Sequence, residues 1–210
     1  GSAAYRLAEM MVRSNDLEAA RSYFELAASH LDNEKLKLAA MFRQARCLEM
    51  LGRPASARAA FRELLEVEAE NPYREATLQA LASLARETGR RDEAAGYYSQ
   101  LAEDAAKPAL RAESAVNAAV IHAERGQSAK AAELFRKAIQ IPVEGPWQSL
   151  ARLGLLRIDY DQERYHKVID DYQSGALKIA PELEPEALIL VGNAHRKLDQ
   201  LEQASDIYER

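Results

Sequence analysis

Apolar residues recur along this chain with the spacing of amphipathic helices, and the helical stripes themselves return with a longer period. At intervals of 37, 37, 37, 37 and 36 residues a small residue is followed four positions later by an aromatic one. The pairs are Ala20/Phe24, Ala57/Phe61, Ala94/Tyr98, Ala131/Phe135, Val168/Tyr172 and Ala204/Tyr208. A period in this range predicts stacked pairs of helices, each burying its apolar face against the next. Aligning on the pair divides the chain into repeats at 1–37, 38–74, 75–111, 112–148, 149–184 and, truncated, 185–210. Positions below are counted from these starts.

Each repeat carries two helical patterns. In the first helix, positions 4, 7, 8 and 11 form the apolar stripe, as in Met41, Ala45 and Leu48, or in Leu78, Leu81, Ala82 and Ala85. Position 8 is Ala8, Ala45, Ala82 and Ala119, then Leu156 and Gly192. A small side chain there lets two helix axes approach, with position 20 on the second helix completing the contact and the aromatic at 24 filling the wedge beyond it. Position 15, between the helices, reads Asn15, Gly52, Gly89, Gly126, Glu163 and Asp199. Gly and Asn accept the left-handed conformation that ends a helix, so the first four repeats carry a stop signal. Asp92 and Ser128 are candidate caps of second helices, and Pro54 suits a first turn. Prolines 72, 108, 142, 146, 181 and 185 fall between repeats, where one helix must end before the next begins.

These residues resemble the tetratricopeptide repeat motif, which asks for small residues at 8 and 20, Gly or similar near 15, an aromatic at 24 and often Pro near 32. The resemblance spans essentially the whole chain and implies an all-α, right-handed superhelical solenoid of antiparallel helix pairs, a single array over 1–210. Two departures stand out. Position 4 lacks the family's aromatic, and the period exceeds the usual 34 by about three residues, which should lengthen the second helix or the link that follows it. The fifth repeat deviates most, with Arg152 at position 4, Glu163 at the turn, Val168 for Ala and Gly175 at position 27. A bend between the fourth and fifth repeats is expected. The sixth repeat stops at Arg210 without a capping helix, and the chain opens Gly1-Ser2 like a tag-cleavage scar, so a fragment of a longer protein is expected.

Composition narrows the partners. With 28 basic and 33 acidic residues the net charge is −5, which offers no general attraction for nucleic acid or an anionic membrane. No stretch approaches the ~20 apolar residues of a membrane span. A single cysteine, Cys47, excludes an internal disulfide framework and leaves cytoplasm and periplasm both open. Arg predominates over Lys and Ala is abundant, which points to a GC-rich bacterial source.

Candidate chemistry is sparse. His30, His122, His166 and His195 have no helical metal-ligand spacing, so no metal is expected. His122 and His195 share the inward position 11 and read as packing residues, as does Cys47. There is no Gly-rich phosphate loop, and neither a cofactor nor catalysis is expected. The acidic runs Asp170-Asp171 and Glu66-Val67-Glu68-Ala69-Glu70-Asn71 read as solvated faces. Trp147, the only tryptophan, reads as a cap on the end of the fourth repeat.

The resemblance further implies that first helices line a concave groove with positions 2, 5, 9, 12 and 13 facing inward. Carried onto this chain, the groove candidates are Phe42, Arg46, Arg86, Val116, Val120, Leu153, Arg157, Tyr160, Asn193 and Arg196. Apolar and aromatic positions interleave with arginines, the residue types that anchor interfaces, so an acidic, partly apolar helix or extended peptide is the expected ligand. The clamp for acidic chaperone C-termini is not expected: position 5 is never Lys, and Asn117 and Asn193 are isolated. The leading expectation is a protein-interaction scaffold in a bacterial multiprotein assembly. The alternatives are a self-associating module, forming homo-oligomers through its terminal repeats, and a regulatory or substrate-recruiting region of a larger enzyme.

Overall fold

The computed structural model describes residues 1–67, 70–175 and 177–210, so Glu68 and Ala69 of the second acidic run lie outside the described residues. Among them the chain forms twelve α-helices and one 3₁₀ turn, with no strand. The first helices of the six repeats are α1 (Ser2–Arg13), α3 (Glu34–Met50), α5 (Arg74–Glu87), α7 (Pro108–Glu124), α9 (Trp147–Asp161) and α11 (Glu184–Lys197). The second helices are α2 (Leu17–His30), α4 (Pro54–Leu65), α6 (Arg91–Asp104), α8 (Ser128–Gln140), α10 (Tyr165–Gln173) and α12 (Leu201–Tyr208). Contacts group the chain into two compact units, Gly1–Tyr97 and Tyr98–Arg210.

One hydrogen-bonded turn recurs in all six repeats. The residue at position 15 has φ between 59 and 71°, its N–H donates to the carbonyl of position 12, and the N–H of position 16 reaches back to the carbonyl of position 11. The second bond is 2.9 Å for Asp16 to Met11, 3.0 Å for Arg53 to Leu48, 2.7 Å for Arg90 to Ala85, 2.9 Å for Gln127 to His122 and for Arg164 to Asp159, and 3.0 Å for Gln200 to His195. This is the Schellman closure of a helix. The carbonyl of position 16 then accepts the first bond of the next helix from position 20, so stop and start share a residue. Glu163 and Asp199 adopt the left-handed geometry as fully as the glycines do, so the turn forms in the two repeats that lack a Gly or Asn stop signal as well.

Second-helix starts differ from expectation. Asp16 caps α2, its Oδ1 accepting from Ala19 N–H at 3.1 Å. Ser128, expected as a cap, is instead the first residue of α8, whose N-cap is Gln127, and Asp92 lies in the first turn of α6. A carboxylate there favours the helix through its dipole. In two repeats the first helix is extended at its start. The helices α3 and α7 begin at Glu34 and Pro108, upstream of the boundaries drawn at Leu38 and Ala112, and span 17 residues each.

In the unit Gly1–Tyr97, Ala8, Ala45 and Ala82 at position 8 and Ala20, Ala57 and Ala94 at position 20 are all inaccessible to solvent, and Phe24 and Phe61 are enclosed beside them. The second unit repeats this with Ala119, Ala131 and Phe135, then substitutes the fully buried pair Leu156 and Val168. In the last repeat Gly192 removes even the methyl group, because a Cβ there would collide with the ring of Tyr208. Trp147 opens α9 half-buried against the cluster around Phe135, the capping position expected of it.

The fifth repeat is rebuilt around polar contacts. Its second helix stops early, at Gln173, with Gly175 left-handed at φ 67°. The long return link is fastened to α9: Arg152 Nη1 donates to the Lys178 carbonyl at 3.0 Å, and Ser149 Oγ accepts from Ala180 N–H at 3.1 Å. Arg152 thus replaces an apolar residue because it holds the link. Asp159, at position 11, is only 6% exposed and pairs with Arg164 and with Lys167 Nζ at 2.6 Å, while Lys167 also reaches Asp171 at 2.5 Å. At the same position, His122 and His195 place Nδ1 at 2.6 and 2.7 Å from Oε1 of Gln127 and Gln200.

Burial pushes the Cys47 thiol and the Tyr5 phenol above their ordinary values, and burial with the hydrogen bond to Glu184 does so for Tyr172. Burial alone would lower Lys167, but its bonds to Asp159 and Asp171 raise it. All four groups hold their protons more tightly when folded. Their stabilisation is complete below the unfolded values, about 8.5 for Cys and 10 for Tyr and Lys, and is lost as pH rises through the folded ones. Thermal unfolding across the alkaline range should therefore show a melting temperature that falls above about pH 9. Glu163, exposed and left-handed, carries strain that glycine lacks. Replacing it, Glu163→Gly, should stabilise the chain by about 1 kcal/mol and raise Tm by roughly 2–4 °C.

Candidate partner-binding cleft

The inner-face candidates fall into two groups. In the first unit Phe42 is half-buried, stacked on Tyr73 with centroids 5.0 Å apart and tilted against Phe61 at 5.8 Å. Arg46, one turn on, is exposed and paired with Glu49 along α3, and Arg86 is exposed in the last turn of α5. In the second unit, Val116, Val120, Leu153 and Arg157 come together in one cleft of about 330 Å³. Tyr160, Asn193 and Arg196 are not part of its lining. Tyr160 lies half-buried, edge-on to Tyr165 at 5.4 Å; Asn193 Oδ1 accepts from the Tyr208 hydroxyl at 2.9 Å; Arg196 is exposed at the end of α11.

The exposure assumed for the apolar candidates is corrected by packing. Val116 and Leu153 are only 5% and 6% exposed and belong to the core clusters of their helix pairs, whereas Val120 is 42% exposed. A position-5 side chain here is squeezed between its own second helix and the neighbouring repeat. The cleft therefore has a floor of core residues and a more open wall. Ala123 and Leu150 continue the apolar lining, and Phe135 and Ile158 reach it from the core.

Gly154 decides how Phe135 reaches the floor. A Cβ on Gly154 would collide with the tip of the Phe135 ring, so the aromatic of the fourth repeat's second helix seats directly on the backbone of α9. Only the fifth repeat has Gly at position 6; the others carry Arg6, Arg43, Ala80, Asn117 and Leu190.

Charge around the cleft also departs from expectation. Arg157 is engaged by Glu186 of α11, and two further carboxylates line the cleft, Glu124 and Asp161. These are the final residues of α7 and α9. A carboxylate at a helix C-terminus opposes the macrodipole, a cost of about 0.3–1 kcal/mol at an exposed site. The lining thus holds three carboxylates and one guanidinium, the latter paired with Glu186, where the sequence leads one to expect arginines alone. Positions 2 and 13 carried this signal in Leu150, Glu186, Glu124 and Asp161, beside the positions 5, 9 and 12 from which the candidates were drawn. Among the described residues, no three His, Cys, Asp or Glu side chains cluster to hold a metal ion, and no helix is long and apolar enough to cross a membrane.

Gly154 and Gly96 make a matched test of this packing. Gly154→Ala should lower stability by about 1 kcal/mol net, the overpacking cost of ~1–3 kcal/mol outweighing the helix-propensity gain. Gly96→Ala, at an exposed position of α6 with nothing within 4 Å of the added Cβ, should raise stability by roughly 0.5–1 kcal/mol. Chemical denaturation of the two variants reads both signs.

Comparison with known proteins places this geometry. The family model for the tetratricopeptide repeat matches residues 5–75 and 80–146. No curated protein matches the sequence. Among solved structures, a tetratricopeptide repeat protein from Parabacteroides merdae aligns over 99% of this chain and 77% of its own, with a TM-score of 0.60 at 15% identity. Pseudomonas aeruginosa pilF aligns over 98% of this chain and 87% of its own, with a TM-score of 0.55 at 17% identity. The tetratricopeptide-like repeats of a putative kinesin light chain from Podospora anserina align over 94% and 95%, with a TM-score of 0.53 at 18% identity. At these identities the structural likeness speaks for the fold, and together with the matched repeats it places the chain in the tetratricopeptide repeat family.

Proposed function

We propose that this chain is a non-catalytic scaffold whose inner face grips a segment of a partner protein within a bacterial multiprotein assembly. Tetratricopeptide repeats generally mediate protein–protein interaction, and the family is typically non-catalytic. The observation that carries the reading is the cleft of the second unit. Its lining draws on positions 2, 5, 9, 12 and 13 of successive first helices: Leu150 and Glu186, Val116 and Leu153, Val120 and Arg157, Ala123, and Glu124 and Asp161. That is the set of positions expected to face a ligand. An apolar hollow edged by a few charged groups suits a peptide side chain better than it suits bulk water. Phe42 stacked on Tyr73, with Arg46 close by in sequence, supplies aromatic and arginine anchors on the first unit.

Photo-crosslinking tests this reading. A photoreactive residue placed at Arg86 or Val120 should capture one partner protein in a lysate of the source organism, and the same residue at Glu133, exposed on α8, should not. Adducts confined to Glu133, or formed only with another copy of the chain, would overturn the groove-binding reading in favour of an outer-face or self-assembling role.

A further inference from the structure

We infer that the inner face of the first unit selects a partner segment in which an aromatic or large aliphatic side chain lies within about one helical turn of an Asp or Glu. The proposal rests on the groove-binding reading and names the ligand chemistry for this part of the face. An aromatic residue followed by arginine occurs at three first helices, as Tyr5-Arg6, Phe42-Arg43 and Tyr73-Arg74. The first two lie at positions 5 and 6 within α1 and α3, and the third forms the N-cap and first residue of α5. In the second unit positions 5 and 6 read Val116-Asn117, Leu153-Gly154 and Ile189-Leu190, so the pattern sets the first unit apart.

The fold gathers the aromatic halves of these dipeptides. Phe42 stacks on Tyr73 with centroids 5.0 Å apart, and Tyr5 meets Phe24 edge-on at 5.5 Å. Besides burial, Arg43, Glu9 and Tyr73 act on the Tyr5 phenol, so the α3 guanidinium and the second tyrosine lie within electrostatic reach of α1. All three aromatics are half-buried, and all three arginines are exposed. The rings are held by packing yet keep an open side, so an apolar side chain can be buried on them without first ordering them. The arginines supply the acidic preference. A guanidinium is a planar fork that matches a carboxylate bidentately, and its weak hydration makes a place beside aromatic rings inexpensive. Of the carboxylates nearest in sequence, Glu49 is paired with Arg46 and Glu75 is itself engaged, which leaves Glu9 against three arginines. That excess of positive charge attracts an acidic segment and repels a basic one. A purely apolar segment leaves the guanidiniums without a counterpart, and a purely acidic one leaves the rings uncovered.

A library of random twelve-residue peptides displayed on phage, selected against the whole chain, supplies the probe. The enriched peptides should combine Phe, Tyr, Trp, Leu or Met with a nearby Asp or Glu, and should bind more weakly as ionic strength rises. Arg43→Glu should weaken them at least about tenfold, equivalent to ~1.4 kcal/mol. Phe42→Leu, which keeps apolar bulk and loses the stacked ring, should weaken them roughly two- to tenfold. Arg62→Glu, the same change of charge at an exposed site on the second helix α4, should leave them within about twofold of the parent. Arg43 is exposed and the leucine is a conservative replacement, so circular dichroism should show the parent's helix content in each variant and separate lost binding from lost fold. Basic consensus peptides, or acidic ones indifferent to Arg43→Glu, would overturn the proposal. Binding lost only on Val120→Glu, in the second-unit cleft, would overturn it while preserving the groove reading. Peptides indifferent to every inner-face substitution, or a library yielding no binder, would count against both.

Discussion

The left-handed residue at position 15 is the constraint on which each repeat depends. It closes the first helix with two reverse hydrogen bonds and hands the chain to the second helix at the next residue, so the relative placement of the pair is set within a few bonds. Once the hairpin is set, positions 8 and 20 face each other and must be small, and position 24 must fill the wedge. Apolar burial supplies the free energy, but the turn decides which side chains are available to be buried. That explains why the turn survives in the fifth and sixth repeats with Glu163 and Asp199 where the glycines are gone. A local strain on the order of 1–2 kcal/mol is tolerated because losing the hairpin would forfeit the whole helix–helix contact.

Where the repeat departs from its own pattern, the departures compensate one another locally. The fifth repeat exchanges Ala for Val168 at the close contact and takes Leu156 opposite, so both remain fully buried. Its short second helix leaves a long link, and Arg152 and Ser149 fasten that link through its backbone. The buried Asp159 is held by Arg164 and Lys167, which supply the opposite charge a carboxylate needs when removed from water. A single substitution among these residues would leave its partner unsatisfied.

The cleft grows out of the same packing. Its floor consists of residues already committed to helix-pair cores, and its open side carries carboxylates at the ends of two first helices. Acids at the two helix ends are a small cost in stability. Binding surface and core therefore share side chains, and changes at Val116, Leu153 or Phe135 will affect stability and recognition together. Val120, Arg157 and Asp161 can be varied with less effect on the fold.

The sequence by itself determined the period, the helix-pair architecture, the small-residue contacts and the family, because each is a spacing rule repeated along the chain and local chemistry suffices to read it. It also pointed to Val116, Val120, Leu153 and Arg157, which meet in one cleft. Tertiary structure decided the rest. Whether a position-5 residue is exposed depends on how closely the neighbouring repeat packs, so the burial of Val116 and Leu153 could not be read from spacing. The role of Gly154 required the Phe135 ring to be placed on it from another helix, and the pairing of Arg157 required Glu186 to be brought to it from α11. These features arise between residues distant in sequence, and only the folded chain sets the distances on which packing and Coulomb energies depend.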